Sequence, residues 1–445
     1  AFYFYSMNKY ISIEDLYNVF ISCNQLISTD TRNLELNSLF FALKGDNFNA
    51  NLFAKSAIDQ GCKHAIVDDE TISNGTTILL VENVLESLQH LAKYHRTKLQ
   101  IPIIGITGSN GKTTNKELIH AVLSKKYNTY ATKGNLNNHI GVPLTLLKIN
   151  TTHEIAIVEM GANHQGEISF LSNIAQPTYG LITNIGKAHL EGFGGEEGIK
   201  KGKSELYKYL KEHNGKIFIN GDDSTLIELA GDIPKIYYGK NNEFDVYGKL
   251  IPTNEYVDFK WAKKEEALLE KPIIKSHLFG HYNFINILCA TCIGNYFGVE
   301  EKHINDAISN YLPEMNRSQV KQTTHNTLIL DAYNANPSSM QLAINHFSNQ
   351  NIQNKIVILG DMFELGDYSA KEHEAILEAL KLTKDIKCIL IGEHFYNFEK
   401  KYLGFSFYKT INDAIVFLKD NQLMHNTILI KGSRGIKLEK LVDYL

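Results

Sequence analysis

The stretch Thr107-Gly108-Ser109-Asn110-Gly111-Lys112-Thr113-Thr114 gathers glycines, hydroxyls and one lysine into a single short segment. Gly108 and Gly111 let backbone N–H groups turn toward an anion, and a helix opening at Lys112 adds the positive end of its dipole. The Lys112 ammonium suits the outer phosphates of a nucleoside triphosphate, and the Thr113 hydroxyl suits a Mg2+ ion. Five residues separate Gly105 from Gly111, so this is the T-G-x-N-G-K-T-T form and not the commoner G-x-x-x-x-G-K-[ST] loop. Two further groups have the chemistry of a metal site. Glu159 ends the apolar run Ile155 to Val158, and His189 follows the run Tyr179 to Ile182. Ligands of open α/β sheets bind at the carboxyl ends of strands, which is where both residues fall.

These groups need a frame. Ile101 to Ile106 reads as a buried parallel strand, and Leu118, Ile119, Val122 and Leu123 recur at helical spacing after the loop. Strands and helices alternate from about 99 to 313, which predicts a parallel sheet with crossover helices. Before it, residues 7 to 98 form a mixed unit with a helix from Ser12 to Phe20 and strands near Leu39, Ala65 and Thr77. The polar cluster Thr29-Asp30-Thr31-Arg32 there suits a nucleotide or diphosphate, or is simply a capped turn. Residues 235 to 279 read as an antiparallel excursion. Asn283 and Asn286 share one face of the following helix, where one could bond a base edge or both could cap the helix. From Pro313 a third α/β unit begins, with strands at Thr327 to Leu330, Lys355 to Leu359, Cys388 to Ile391 and Thr427 to Ile430. Lys200, Lys201 and Lys203 read by default as a solvated basic face.

Bulk composition excludes several classes. With 445 residues, 43% hydrophobic and 21% charged, the chain is an ordinary globular protein of about three domains. A net charge of −4 gives no basic field for nucleic acid. Five scattered cysteines fit a reducing cytoplasm, and Cys289 and Cys292 read as core positions despite their C-x-x-C spacing. No apolar run reaches the roughly 18 residues of a membrane span. The segment before Met7 reads as a start-site extension.

With these motifs in view, the chain resembles the Mur ligases, ATP-dependent amide-forming enzymes of peptidoglycan precursor synthesis. The resemblance is closest to the members that add D-alanyl-D-alanine. It rests on the loop at 107–114, Asn137-Asn138-His139-Ile140-Gly141-Val142-Pro143, Glu159-Met160-Gly161-Ala162 and Ala188-His189-Leu190-Glu191-Gly192-Phe193. It also rests on Asp331-Ala332-Tyr333-Asn334-Ala335-Asn336-Pro337, Gly360-Asp361-Met362 with Glu364-Leu365-Gly366, and Lys431-Gly432-Ser433-Arg434. The loop is shared with folylpolyglutamate synthetases, which are the alternative along with other amino-acid-adding Mur ligases.

The resemblance implies three α/β domains. These are a UDP-binding domain at 7–98, a central parallel-sheet P-loop ATPase domain at 99–313 and a Rossmann-like domain at 314–445. It implies ATP and two Mg2+ ions as cofactors, UDP-N-acetylmuramoyl-tripeptide and D-Ala-D-Ala as substrates, and a cytoplasmic monomer that is not membrane-embedded. Gly108, Ser109, Asn110, Gly111, Lys112, Thr113 and Thr114 would hold the phosphates. Thr113 and Glu159 would serve one Mg2+, and His189 with a carbamoylated Lys203 the second; Lys112, Glu159, His189 and Lys203 form the implied catalytic set. A free lysine is a cation that repels Mg2+, whereas its CO2 adduct is an anionic oxygen ligand. Asn283 and Asn286 would face adenine, Arg317 a phosphate, and Asp331 would be a ribose or nucleotide contact. Thr29, Asp30, Thr31 and Arg32 would receive the UDP end, with Asn138, Asn334, Lys431 and Arg434 also on the substrate side. Tyr282 stands where relatives commonly carry histidine, and Asn115 where they commonly carry threonine, a change expected to matter little.

Overall fold

The computed structural model describes residues 9–253, 256–314, 316–383 and 385–445. The start-site extension before Met7 lies outside them. Two compact units emerge, one of Ala1–Gly105, Tyr127–Gly161 and Glu167–Tyr179, the other of Ile106–Lys126, Ala162–Gly166 and Gly180–Leu445.

In the first unit, β1 (Ile27–Ser28), β2 (Leu39–Phe41), β5 (His64–Val67) and β6 (Ile78–Leu80) form a four-stranded parallel sheet in that order. Between β2 and β5, β3 (Lys44–Gly45) and β4 (Phe48–Asn49) make a small antiparallel ribbon. Helix Ile13–Ser22 begins where Ser12 accepts a hydrogen bond from the Asp15 N–H, as a helix N-cap should. Also in this unit, β7 (Ile103–Thr107), β9 (Ile155–Glu159) and β8 (Thr129–Ala131) lie side by side in that order, β8 and β9 in parallel register. Every residue of β7 and β9 is buried, so both read as continuous apolar runs rather than alternating ones.

The last two residues of β7 belong to the second unit, where Thr183 donates its N–H to the Thr107 carbonyl beside β10 (Tyr179–Ile182). From β10 the sheet continues through β11 (Lys216–Asn220), β12 (Lys235–Gly239), β13 (Val246–Ile251), β14 (Tyr256–Lys263) and β15 (Ile274–Phe279). The excursion expected to be antiparallel from 235 is so only from β13 onward. Strand β12 pairs parallel with both β11 and β13, which makes it a continuation of the parallel sheet.

The C-terminal third carries a six-stranded sheet. Its strands are β16 (Gln319–Gln322), β17 (Thr327–Leu330), β18 (Lys355–Gly360), β19 (Ile386–Ile391), β20 (Ser406–Tyr408) and β21 (Thr427–Lys431), in spatial order β16-β17-β21-β18-β19-β20. Only β16 runs antiparallel. Its core joins Leu328, Ile356, Ile358, Ile389, Ile428 and Ile430.

Helix Lys112–Leu123 packs against the apolar helix Asn283–Tyr296. A Cβ at Gly294 would sit 2.3 Å from Val122 Cγ1, so a glycine is needed there for the two backbones to approach. All five cysteines are buried and unbonded, Cys289 and Cys292 inside this helix among them. No described helix is long and apolar enough to cross a membrane.

Candidate active site

The loop after β7 is held by the segment that follows β10. The Ser109 and Asn110 N–H groups donate to the Asn184 backbone oxygen at 3.0 Å and to its Oδ1 at 3.1 Å. In return the Thr183 hydroxyl and the Asn184 amide donate to the Asn110 carbonyl at 2.6 and 3.0 Å. Gly108 has φ +139°, and a Cβ on it would meet Thr183 Oγ1 at 2.0 Å. Gly111, the N-cap of helix Lys112–Leu123, has φ +77°. Two consequences follow for the expected phosphate cradle. Its turn is fixed without a ligand, and two of its amides, those of Ser109 and Asn110, face Asn184. The Lys112 ammonium folds back onto the Gly108 carbonyl at 2.7 Å.

Beside this loop, a groove of about 500 Å3 is lined by Thr113, Thr114, Glu117, His120, Tyr311 and Arg317. Arg317 stacks its guanidinium 3.5 Å above the Tyr333 ring, and its buried Nε has no hydrogen-bond partner among the described residues. The Thr107 hydroxyl and the Asn115 Oδ1 are likewise buried without a partner. Buried polar atoms are ordinarily satisfied, so such atoms around one loop mark a site built for a polar ligand.

Asn283 and Asn286 lie together as their spacing predicts, but their amides are engaged with protein groups. Asn283 donates to the Phe279 carbonyl at 2.7 Å and to Ser318 Oγ at 3.2 Å, while Asn286 donates to Asn283 Oδ1 at 2.8 Å. Asn286 Oδ1 in turn accepts from Asn115 at 2.7 Å, and the same Asn115 amide donates to the Gly111 carbonyl at 2.9 Å. Asn115, expected to matter little, thus ties the phosphate loop to the helix behind it. Its partner Asn286 is far away in sequence, which left no local signal.

Glu159 ends β9 with 1% exposure, and its Oε1 accepts from the Asn137 amide at 2.8 Å. Neighbouring Asn138 is exposed and uses its Oδ1 to accept the Ile140 and Gly141 N–H groups at the start of helix Gly141–Leu147.

His189 has a left-handed backbone, φ 56°, and its ring Nδ1 meets the carboxylate of Glu364, itself at φ 62°. That contact with His189 holds the Glu364 carboxyl below its usual range. Lys187 pairs with the buried Glu372 at 2.7 Å, and its N–H donates to Ser338 Oγ. Asn336, which caps the helix beginning at Pro337, donates its amide to Asn110 Oδ1 at 2.7 Å. Loops after β17 and β18 therefore touch the phosphate loop and the 186–191 segment.

Lys203 corrects the reading of a solvated basic face. It is fully buried, donating to the Ala162 carbonyl at 3.1 Å with its ammonium 4.8 Å from the Phe193 ring centre. Both neighbours suit a cation. Lys200 pairs with Glu197 at 2.6 Å and Lys201 is exposed, as the default predicts.

On the substrate side, Lys431 is 3% exposed and pairs with Asp331 at 2.7 Å across the adjacent ends of β21 and β17. The two therefore neutralise each other. Arg434 is exposed, with its guanidinium 5.5 Å from the Tyr333 ring centre, and the exposed Asn334 accepts the Ala335 N–H. In the first unit, Arg32 forks onto the Asp30 carboxylate at 2.6 to 3.2 Å and holds that carboxyl down at about 2. Thr29 precedes this turn and Thr31 lies within it.

Residues 106–294 match the Mur ligase middle domain, and residues 316–434 match the Mur ligase glutamate ligase domain. A UDP-N-acetylmuramoyl-tripeptide–D-alanyl-D-alanine ligase of Bacillus subtilis is 35% identical, with 94% of this chain and 92% of the relative covered. The chain belongs to the Mur ligase family, among its D-alanyl-D-alanine-adding members. Solved structures agree. A MurF structure from Acinetobacter baumannii superposes with TM-score 0.84 at 31% identity, covering 94% of this chain and 92% of that one. The MurF ligase of Thermotoga maritima in complex with ADP gives TM-score 0.80 at 25% identity, covering 95% and 97%. For a Mur ligase, the loop at 107–114 and its unsatisfied neighbours lie in the part matched by the middle domain, and Arg317, Tyr333 and Arg434 in the part matched by the glutamate ligase domain.

Proposed function

We propose that this chain joins D-Ala-D-Ala to UDP-N-acetylmuramoyl-tripeptide with conversion of ATP to ADP and phosphate, in peptidoglycan precursor synthesis. The observation that carries the reading is the pre-built loop at 108–114 in a chain related over nearly its whole length to ligases of that name. A free carboxylate is a poor acyl donor because oxide is a poor leaving group. In the first step a carboxylate oxygen of the tripeptide attacks the γ-phosphorus, the bond to the bridging oxygen breaks, and ADP leaves. In the second the dipeptide amine attacks the acyl carbon, the C–O bond breaks, and phosphate leaves as the amine loses a proton.

Lys112 would release the Gly108 carbonyl and hold the outer phosphates, offsetting charge that gathers as two anions meet. Gly108, Gly111, Thr113 and Thr114 would line the phosphates, with Ser109 and Asn110 contributing their side of the turn. Arg317 would bring its unpartnered Nε to a phosphate. Asn283, Asn286 and Asp331 would reach adenine and ribose by exchanging present partners. Thr113 and Glu159 are oxygen donors of the kind Mg2+ takes. No cluster of three or more His, Cys, Asp and Glu exists among the described residues, so phosphate oxygens and water would complete the shell. Bound Mg2+ supplies Lewis-acid neutralisation of the phosphates.

His189 would serve a second ion with Lys203 as its carbamate. As an ammonium Lys203 does not fit that role, and its carbonyl and ring neighbours require the side chain to shift on modification. Thr29, Asp30, Thr31 and Arg32 would take the UDP end by opening the Asp30–Arg32 pair. Asn138, Asn334, Lys431 and Arg434 would face the peptide, Lys431 once Asp331 has exchanged it for the nucleotide. We take 7–98, 99–313 and 314–445 as the domains, and a cytoplasmic monomer as the working form, in keeping with five unbonded buried thiols.

The test is phosphate release by the purified chain with ATP, Mg2+ and UDP-N-acetylmuramoyl-tripeptide, comparing D-Ala-D-Ala with single amino acids and glutamate. Release that needs both the nucleotide-sugar peptide and the dipeptide is expected. Release with glutamate instead would turn the assignment toward the folylpolyglutamate synthetases.

A further inference from the structure

Two guanidinium groups converge on the ring of Tyr333. Arg317 lies 3.5 Å from the ring centre and Arg434 5.5 Å. At 3.5 Å a planar guanidinium is in stacking contact with the aromatic face, which fixes its plane as well as its position. Arg317 also lines the groove beside the phosphate loop, and its buried Nε has no acceptor among the described residues. Arg434 is exposed at the end of the loop after β21.

Two like charges on one ring repel, and the strand-end carboxylate two residues before it, Asp331, is already paired with Lys431, while Glu117 and Glu314 line the groove on the Arg317 side. Such an arrangement is relieved by anions arriving from outside. Both contacts are to the Tyr333 ring and neither is to its phenol oxygen.

We infer that Tyr333 is a positioning residue, the ring against which Arg317 is set for a nucleotide phosphate and Arg434 for an anionic group of the second substrate. The assignment of those two anions rests on the function proposed above; the placement of the arginines by the ring does not. One ring thus links the nucleotide groove to the peptide side of the C-terminal third. Removing it should loosen both ends at once, whereas removing only its hydroxyl should loosen neither.

The test uses full-length Tyr333→Phe, Tyr333→Leu and Arg317→Lys. ADP binding is followed by calorimetry and the KM for D-Ala-D-Ala by phosphate release, with thermal unfolding of each variant alongside. Tyr333→Phe should stay within twofold of wild type in both. Tyr333→Leu should bind ADP about tenfold more weakly and raise the dipeptide KM several-fold with little change in kcat. Arg317→Lys keeps the charge but cannot stack, and should weaken ADP as much as Tyr333→Leu. The idea is overturned if Tyr333→Leu matches wild type in ADP binding, or if Tyr333→Phe falls as far as Tyr333→Leu. Should Tyr333→Leu not fold, wild-type ADP affinity in Arg317→Lys overturns it by itself. ADP calorimetry does not depend on the amide-forming reaction, so failure of the proposed function would show separately, as a wild-type chain that binds ADP but releases no phosphate.

Discussion

The phosphate loop and the Thr29–Arg32 turn are both short polar segments suited to nucleotide phosphates, yet they are built in opposite ways. At 108–114 the backbone does the work. Glycines take left-handed φ values, Thr183 and Asn184 brace the turn, and buried polar atoms nearby lack partners. At Thr29–Arg32 the charged side chains satisfy each other, and Arg32 is 88% exposed at its side chain. The difference teaches that a ready site is recognised by what is left unsatisfied around a fixed backbone. A turn whose charges are already matched must break a bond before it can bind.

The sharpest way to break this contrast is Lys112→Ala. Loss of one preorganised electrostatic donor should cost about 3–4 kcal/mol of transition-state stabilisation, roughly a hundred- to thousandfold in kcat. Turnover within tenfold of wild type would falsify the role given to the loop.

Next is Asn115→Ala, which leaves the half-buried Asn286 Oδ1 without its donor. Denaturant unfolding should show a loss of about 1–3 kcal/mol, and ADP binding should weaken with it. An unchanged midpoint would mean that the bracing behind the loop is incidental.

Acid distinguishes the two units that carry these regions. Burial, and then the charge of His281 beside it, press His346 down to about 4. The two rings lie 4.4 Å apart, with Phe279 and Gln350 also against His346. The folded chain keeps His346 neutral while the unfolded chain takes up a proton below about pH 6.5. Its contribution is therefore complete above that pH and is lost as pH falls toward 4. Between pH 7 and 4.5 the second unit should lose about 1–2 kcal/mol to this group, allowing for its partial exposure. His346→Gln should flatten that part of the pH curve. The Asp30–Arg32 pair, with its carboxyl near 2, should survive the same titration.

The smallest effect is expected of Arg32→Ala. An exposed pair of this kind contributes little to stability, because water and salt screen it. The KM for the UDP substrate should still rise several-fold; no change in it would leave these four residues as a turn and nothing more.

Much of this was legible in the sequence where one local pattern decided the outcome. Glycines, lysine, preceding strand and following helix all agree at 103–123, and Ser12 followed by Glu14 and Asp15 marks a helix start. Edge strands were harder. Gln319-Val320-Lys321-Gln322 has almost no apolar content, as the edge strand of its sheet among the described residues, and Ser406–Tyr408 is too short to show a period. Lys203 was readable in principle. Ile199, Lys203, Leu206 and Leu210 fall on one helical stripe, and the run of lysines around it hid that spacing. What no local pattern could show was the set of long-range partners. Asn115 with Asn286, His189 with Glu364, and Tyr333 with its two arginines each join residues set far apart in the chain.

The five buried thiols have a practical consequence. Burial pushes Cys289 and Cys388 up to about 12 and raises Cys23, Cys62 and Cys292 as well, so none offers a reactive thiolate to an alkylating reagent while its surroundings stay packed. Cys23 and Cys62 lie in one unit and the other three in the second. Timed labelling followed by peptide mapping would turn them into native clocks, recording how often each part of the chain breathes open.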